Sequence, residues 1–348
     1  VSFEDLKFLR VIGRGGFGVV KQVQHRRTGV RYALKCVRKR QVVQHGQQRT
    51  LVQELSILGE IDHPFIYKFV KPFRTAQKVY FLMELVTGGE LFGILQVLGI
   101  LDHPQALFYT GSILLALEFL HARKIAYLDL KAENCLVDHQ GYIKLIDFGI
   151  AHRINTRSRC HDMIGTPHTM APEVIQSKGR GYTTVADLWS LGIVLYDFVV
   201  GRFPFESKTN NTYEVYKKVL EEPLSIPPVL LKKERGEATA SLVRGLLTRD
   251  PAKRLGAGFA GISDIKSHAF FEGLEFDMLL GREVQPPHIP NAEIYGEDVD
   301  RPASADEPLN DRPLVEEEEA AAREDGDEGW VDPDPGWDAD FDLSRPRS

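Results

Sequence analysis

The chain has 348 residues, 43% hydrophobic and 26% charged, with a formal net charge of −6, which is the make-up of an ordinary globular protein with room for two domains. Cys36, Cys135 and Cys160 stand apart with no CxxC pair, which speaks against a disulfide framework or a cysteine zinc site and for a reducing, cytoplasmic setting. The longest apolar runs, Ile113–Leu120 and Leu188–Val200, are too short to span a bilayer and carry Glu118 or Asp197, so neither a membrane span nor a nucleic-acid partner is expected.

In chain order, apolar and β-branched clusters at Phe8–Ile12, Val19–Val23, Tyr32–Val37, Ile66–Phe69 and Val79–Leu85 predict strands, with a Thr28-Gly29 turn between the second and third. Among them Leu51, Leu55 and Leu58 recur at helical spacing, placing one helix beside an antiparallel sheet. After Gly88-Gly89 the pattern changes to long helices, Pro104–His121 and Thr184–Gly201 among them, with short strand-like pieces at Cys135–Val137 and Tyr142–Leu145. The fold class is therefore α+β: a small β-rich lobe over 1–85, a larger helical lobe over 86–275, and a tail over 276–348. From Glu297 onward 19 acidic and 5 basic residues give the tail −14, leaving +8 on residues 1–296. The Glu316–Glu319 run reads as a solvated, partly disordered tail. The sharper alternative is a tail that wraps back onto the basic core. A chain opening on Val1 rather than Met reads as a fragment or processed form.

Gly13-Arg14-Gly15-Gly16-Phe17-Gly18 fits GxGxxG, a weak signal alone because dinucleotide-binding folds share it. There the loop must open a helix, whereas Gly18 runs into the strand Val19–Val23. The segment from Ile12 to Gly18 is therefore a flap between two strands, whose glycines let backbone N–H groups approach phosphate oxygens. Lys35, the one lysine on Tyr32-Ala33-Leu34-Lys35, could hold the α- and β-phosphates if Glu54 on the following helix steadied it. Further on, Asp129, Lys131 and Asn134 precede Asp147-Phe148-Gly149 across a strand-like hairpin. Phosphoryl transfer asks a protein to position a hydroxyl and to neutralise charge. In that chemistry Asp129 takes the hydroxyl proton, Lys131 faces the γ-phosphate, and Asn134 with Asp147 holds Mg²⁺ through oxygen ligands.

With Ala171-Pro172-Glu173, Asp187-x-Trp189-x-x-Gly192 and Arg254 following in order, the chain resembles the eukaryotic protein kinases over roughly Phe8–Phe271. It is similar, within these, to the AGC group and most of all to cGMP-dependent kinase catalytic domains, through Gly165-Thr166-Pro167-His168, Lys253-Arg254-Leu255-Gly256, Pro286-Pro287-His288-Ile289-Pro290 and Gly336-Trp337-Asp338-Ala339-Asp340-Phe341. The resemblance implies a bilobal fold and serine/threonine kinase activity with ATP and Mg²⁺, with Thr166 and Lys35 joining Asp129, Lys131 and Asn134 in the catalytic set. It implies an adenine site at Met83, Glu84 and Val86 with Val20, Ala33 and Leu136 around the ring. A Glu173–Arg254 ion pair and an Asp187 bonded to the catalytic-loop backbone are also implied, as is a cyclic-nucleotide regulatory domain in cis or in trans. Glu90, Glu133 and Asp197 fall where the group binds arginines upstream of the phosphoacceptor, so basic peptides are the expected substrates. Trp337 and Phe341 are expected to dock near the Glu54 helix.

Leu128 departs from that pattern, standing where most protein kinases carry the arginine that grips an activation-loop phosphate. Thr50 and His152 replace its usual basic helpers, and Asp162 replaces the phosphothreonine. An aspartate has less charge and fewer acceptor oxygens than a phosphate. Either packing holds the loop and no phosphate is needed at that place, or the domain is a pseudokinase scaffold or nucleotide sensor. Intact Lys35, Glu54, Asp129, Lys131, Asn134, Asp147 and Thr166 favour the first. Thr156 and Ser158 are candidate phosphosites elsewhere in the loop.

Overall fold

The computed structural model describes residues 1–15, 18–154, 160–176, 181–209, 211–295, 313–327 and 329–342. Strands β1 (Leu6–Gly15), β2 (Gly18–His25) and β3 (Arg31–Arg38) are followed by helices α1 (Lys39–Gln44) and α2 (Gln48–Leu58), then by β4 (Phe69–Arg74) and β5 (Lys78–Glu84). The five strands make one antiparallel sheet in the order β1-β2-β3-β5-β4. The expected fourth strand at Ile66–Phe69 is displaced: β4 starts at Phe69 and runs to Arg74, while Ile66 bridges to Leu145. Pro72 lies inside β4, which an edge strand tolerates because it can leave one N–H side unpaired.

Strand register sorts the side chains of this sheet onto two faces, since directly opposed residues share a face and residues two apart return to it. Val20 opposes Lys35, Lys35 opposes Phe81 and Ala33 opposes Met83, so these five share one face. Lys21 opposes Leu34 and Cys36 opposes Tyr80 on the other, where Leu6, Phe8, Val23, Leu82 and Leu314 complete a buried cluster.

A second set of elements follows in α3 (Leu91–Leu98), α4 (His103–Ala122), β6 (Ile125–Ala126), β7 (Cys135–Val137), β8 (Ile143–Leu145), β9 (His152–Arg153) and α5 (Pro172–Ile175). Next come α6 (Val185–Val200), α7 (Thr212–Glu221), α8 (Pro228–Leu231), α9 (Gly236–Leu246), α10 (Ile262–Lys266) and α11 (Phe276–Leu280). Helix α4 begins where its sequence says it should. Asp102 caps the Gln105 N–H, the Gln105 side chain answers to the Asp102 N–H, and Pro104 occupies the first turn. Helix α6 ends at Gly201, whose φ of 79° suits a residue without Cβ. α6 packs on α4 and α9. Buried Arg254 anchors this set, donating to both Glu173 oxygens at 2.6 and 2.8 Å.

Contacts divide the described residues into two compact units. One comprises Val1–Asp62, Tyr67–Gly89 and the described residues from Ala292 on; the other comprises His63–Ile66 and Glu90–Asn291. The helix α12 (Leu314–Glu324) thus belongs to the first unit, and of the acidic run it carries Glu316 and Glu319 are exposed while Glu318 is buried. Glu318 is 5% exposed. Its carboxylate lies 2.8 Å from Lys21 Nζ and 2.9 Å from Lys78 Nζ and accepts the Tyr80 hydroxyl at 3.1 Å. Burial alone would raise its pKa, but the two ammoniums outweigh burial and hold it below the usual carboxylate range. Further on, buried Phe341 packs edge-on against Phe81 at 5.2 Å, on the sheet face that carries Lys35. Asp338 beside it pairs with Lys39 at 2.5 Å and Arg74 at 3.3 Å. Half-buried Trp337 donates to Asp332 at 2.8 Å.

Candidate active site

In the first unit, β1 and β2 carry the glycine-rich segment as a hairpin. Gly13 opposes Val20, Arg14 opposes Val19 and Gly15 opposes Gly18, with Ile12 on the incoming strand. Gly16 and Phe17 lie outside the described residues. Gly18 answers a need the sequence did not reveal: a Cβ there would sit 1.8 Å from the Cys36 carbonyl oxygen, so close approach of β2 to β3 requires glycine. Lys35 donates to Glu54 at 2.7 Å, and Glu54, on α2, is 3% exposed. Such a buried carboxylate fixes the ammonium on the face shared with Val20, Ala33 and Met83. At the end of β5, Glu84 exchanges backbone and side-chain hydrogen bonds with Lys68, and Val86 just beyond is buried.

The second unit assembles the segment Tyr127–Asn134 around a buried acid. Asp187, fully buried on α6, accepts the N–H groups of Tyr127 and Leu128 at 2.9 and 2.8 Å and a ring nitrogen of His121 at 2.8 Å. Leu128 is buried at φ 69°, a left-handed conformation that costs about 1–2 kcal/mol and persists because its surroundings impose it. The next residue is Asp129. Its Oδ1 accepts the Thr166 hydroxyl at 2.7 Å; its Oδ2 accepts Asn134 Nδ2 at 2.7 Å and lies 3.0 Å from Lys131 Nζ. Lys131 also donates to Thr166 at 2.9 Å, closing the network. Among the described residues three donors reach a carboxylate that has room for about four, which leaves capacity for a hydroxyl.

Asn134 and Asp147 meet at one end of the β7–β8 hairpin, where the Ile146 N–H donates to the Asn134 carbonyl at 3.0 Å. Asp147 is exposed at φ 56°, and Phe148 is fully buried against Tyr127, with ring centroids 5.3 Å apart. No group of three or more His, Cys, Asp or Glu placed to hold a metal occurs among the described residues. Asn134 and Asp147 bear oxygens of the kind that Mg²⁺ takes beside waters and phosphate oxygens. Leu136, on β7, bridges to Glu90, just ahead of α3.

Burial first, then the charges of Glu133 and Glu206, push the Asp197 carboxyl up to about 6. Glu206 was not legible as part of this group, since nothing near it in sequence marks it. The segment after residue 159 is fastened at several points: Cys160 bridges to Tyr182, the Tyr182 hydroxyl donates to the Asp162 carbonyl at 2.8 Å, and Ser190 donates to the Thr169 carbonyl at 2.8 Å. His152 pairs with Ala126 across β6 and β9. Thr156 and Ser158 lie outside the described residues.

Comparison with known proteins agrees with this geometry. Residues 6–271 match the protein kinase domain family. The chain is 47% identical to the "cGMP-dependent protein kinase" of Eimeria tenella over 300 residues, covering 86% of this chain and 29% of that protein. It is 42% identical to the protein of the same name from Plasmodium berghei over 341 residues, covering 98% of this chain and 37% of that one. With the "cAMP-dependent protein kinase catalytic subunit" of Dictyostelium discoideum it shares 40% identity over 294 residues, 84% of this chain and 44% of the relative. The chain thus spans about a third of the length of the cGMP-dependent relatives. Members of the matched family use ATP and Mg²⁺ in general. With its α+β fold, the Asp129 network and the Lys35–Glu54 pair, the chain belongs to the protein kinase family.

Proposed function

We propose that this domain transfers the γ-phosphoryl group of Mg-ATP to a serine or threonine hydroxyl in peptides with arginine upstream of that residue. The observation that carries this reading is the Asp129 carboxylate, fixed by Thr166, Lys131 and Asn134 and with capacity for one more donor. Asp129 accepts the hydroxyl proton as the new oxygen–phosphorus bond forms and the bond to ADP breaks. Lys131, held by Thr166, stabilises charge on the transferred group. Lys35, steadied by Glu54, holds the α- and β-phosphates, and the flap of Ile12, Gly13, Arg14, Gly15, Gly16, Phe17 and Gly18 covers them. Val20, Ala33, Met83, Glu84, Val86 and Leu136 take the adenine. Asn134 and Asp147 hold Mg²⁺, which neutralises charge on the phosphate oxygens. Glu90, Glu133 and Asp197 take the arginines, and the raised Asp197 pKa reflects a carboxyl that gains by meeting a guanidinium.

The same reading assigns the loop after residue 159 to packing rather than to a phosphate. Buried Leu128 in place of an arginine and the Tyr182–Asp162 hydrogen bond support it, and the intact network counts against a scaffold. The names of the cGMP-dependent relatives favour control by a cyclic-nucleotide module, in cis or in trans. The experiment is incorporation of phosphate from ATP into an Arg-Arg-Ala-Ser peptide, with Asp129→Asn alongside. A loss of about 10²–10⁴ in kcat is expected for the variant. Equal rates for the two proteins would refute the role of Asp129, and no incorporation by the unaltered domain would refute the activity.

A further inference from the structure

In the run Gly165-Thr166-Pro167-His168, Thr166 bonds to Asp129 and Lys131, while His168 meets an aromatic ring from another loop. Its imidazole lies on Phe203, with centroids 4.9 Å apart and planes 20° from parallel. Both side chains are half-buried. Phe203 stands on a firm turn after α6. Its N–H donates to the Glu206 carboxylate at 2.9 Å, and Lys218, on α7, donates to the Glu206 carbonyl at 2.7 Å. Between them Phe205 is buried, its ring stacked on that of Trp189 at 6.0 Å. His168 in turn shares a tight turn with Thr166, because the N–H groups of Thr169 and Met170 both donate to the Thr166 carbonyl, at 3.1 and 3.0 Å. A displacement of His168 therefore carries Thr166 with it. Other fastenings hold the two ends of this turn. Gly165, at φ 123°, comes so near the catalytic segment that a Cβ on it would lie 3.0 Å from the Leu128 carbonyl oxygen, and Ser190 holds the Thr169 carbonyl at 2.8 Å.

From this we infer that His168 and Phe203 are positioning residues, whose stack fixes the turn that holds the Thr166 hydroxyl against Asp129. The inference rests on the proposed reading of Asp129 as the base. The Thr166 hydroxyl has to stay 2.7 Å from the Asp129 carboxylate and 2.9 Å from Lys131 Nζ, yet Thr166 is itself only half-buried. Ser190 and Gly165 restrain the backbone on either side of it, and the stack restrains the middle of the turn. An aromatic pair contributes enough beyond its burial to change the share of correctly placed turns about twofold to tenfold. Misplacing Thr166 takes a partner from Asp129 and Lys131 together. The effect therefore falls on kcat and leaves KM for ATP alone.

The test measures kcat and KM for ATP, with the Arg-Arg-Ala-Ser peptide, in His168→Ala, Phe203→Leu and His168→Phe. The second keeps apolar bulk and the third keeps a ring, and thermal melting checks that each folds. Amide exchange is followed in parallel, since the Thr169 and Met170 N–H groups exchange only when the turn opens. His168→Ala and Phe203→Leu are expected to lower kcat by more than about twofold and up to about tenfold, with KM for ATP within about twofold. Exchange at Thr169 and Met170 should quicken in both, and His168→Phe should match the unaltered domain in rate and exchange. Faster exchange with an unchanged kcat reduces the stack to ordinary packing and overturns the inference. Unchanged exchange, or a kcat loss that His168→Phe fails to restore, overturns it as well. If the unaltered domain transfers no phosphate, the activity proposed above fails, and the exchange rates alone decide whether the stack places Thr166.

Discussion

Replacing Glu318 with alanine isolates the contact that fastens α12 to the sheet. The substitution leaves Lys21 and Lys78, 6% and 7% exposed in their side chains, without the carboxylate that lies 2.8 and 2.9 Å from them. Removing one member of a buried ion pair costs about 3–5 kcal/mol, because the remaining charge is stranded in a poor solvent. Two stranded cations argue for the upper part of that range. Glu317, 3.4 Å from Lys21, and Asp325, 3.6 Å from Lys78, offer alternative partners and argue for the lower part. A loss of about 3 kcal/mol follows, or about 6–12 °C in Tm at 2–4 °C per kcal/mol. The assay is thermal and urea unfolding of both proteins at pH 7, with Glu318→Gln to separate charge from volume. Because the folded-state pKa of Glu318 is lowered, its stabilisation is present above about pH 4.5 and lost as pH falls through that lowered value. The gap between the unaltered protein and the Gln variant should therefore close below about pH 4.5. A Tm for Glu318→Ala within 2 °C of the unaltered protein would refute the reasoning (about 1 kcal/mol at most).

Other outcomes follow from the second unit. Since only ionised Asp197 attracts a guanidinium, KM for an arginine peptide should fall as pH rises through about 6, and Asp197→Asn should remove that dependence. A flat KM from pH 5 to 7 in the unaltered domain would count against it. Glu173→Ala strands the buried Arg254 guanidinium and should cost about 3–5 kcal/mol in urea unfolding, whereas Glu173→Gln, which keeps one acceptor, should cost less. Asp162→Ala leaves the carbonyl that Tyr182 holds, so kcat should change less than about twofold, while Tyr182→Phe, which removes the donor, should lower Tm by losing about 1 kcal/mol. A collapse of kcat in Asp162→Ala would return a role to that side chain.

How much could be read beforehand depends on how local each feature is. Asp129, Lys131 and Asn134 lie within six residues, and their hydrogen bonds close on one another through Thr166, so short-range pattern found them. Lys35 and Glu54 were legible because a strand followed by a helix brings a lysine and a glutamate together in few ways. β4 was misplaced because Ile66–Phe69 is more apolar than Phe69–Arg74, and an edge strand needs neither alternation nor freedom from proline. Glu318 looked solvated because its partners Lys21 and Lys78 are about 300 and 240 residues away, beyond any periodicity. Glu206, nine residues after Asp197, stayed hidden for a different reason: no motif marks it, and its charge reaches Asp197 only through space.

The buried face beneath α12 also makes Cys36 a built-in reporter. Its thiol lies 3.8 Å from the Glu318 carboxylate, and burial first, then that negative charge, raise its pKa well above the ordinary value. Alkylating reagents need a thiolate and an open path, and neither exists while α12 is docked. Labelling at Cys36 therefore proceeds only during excursions in which the helix lifts, and each 1.4 kcal/mol of docking slows it about tenfold. The rate of a simple chemical modification thus becomes a clock for how often this kinase domain lets go of its own tail.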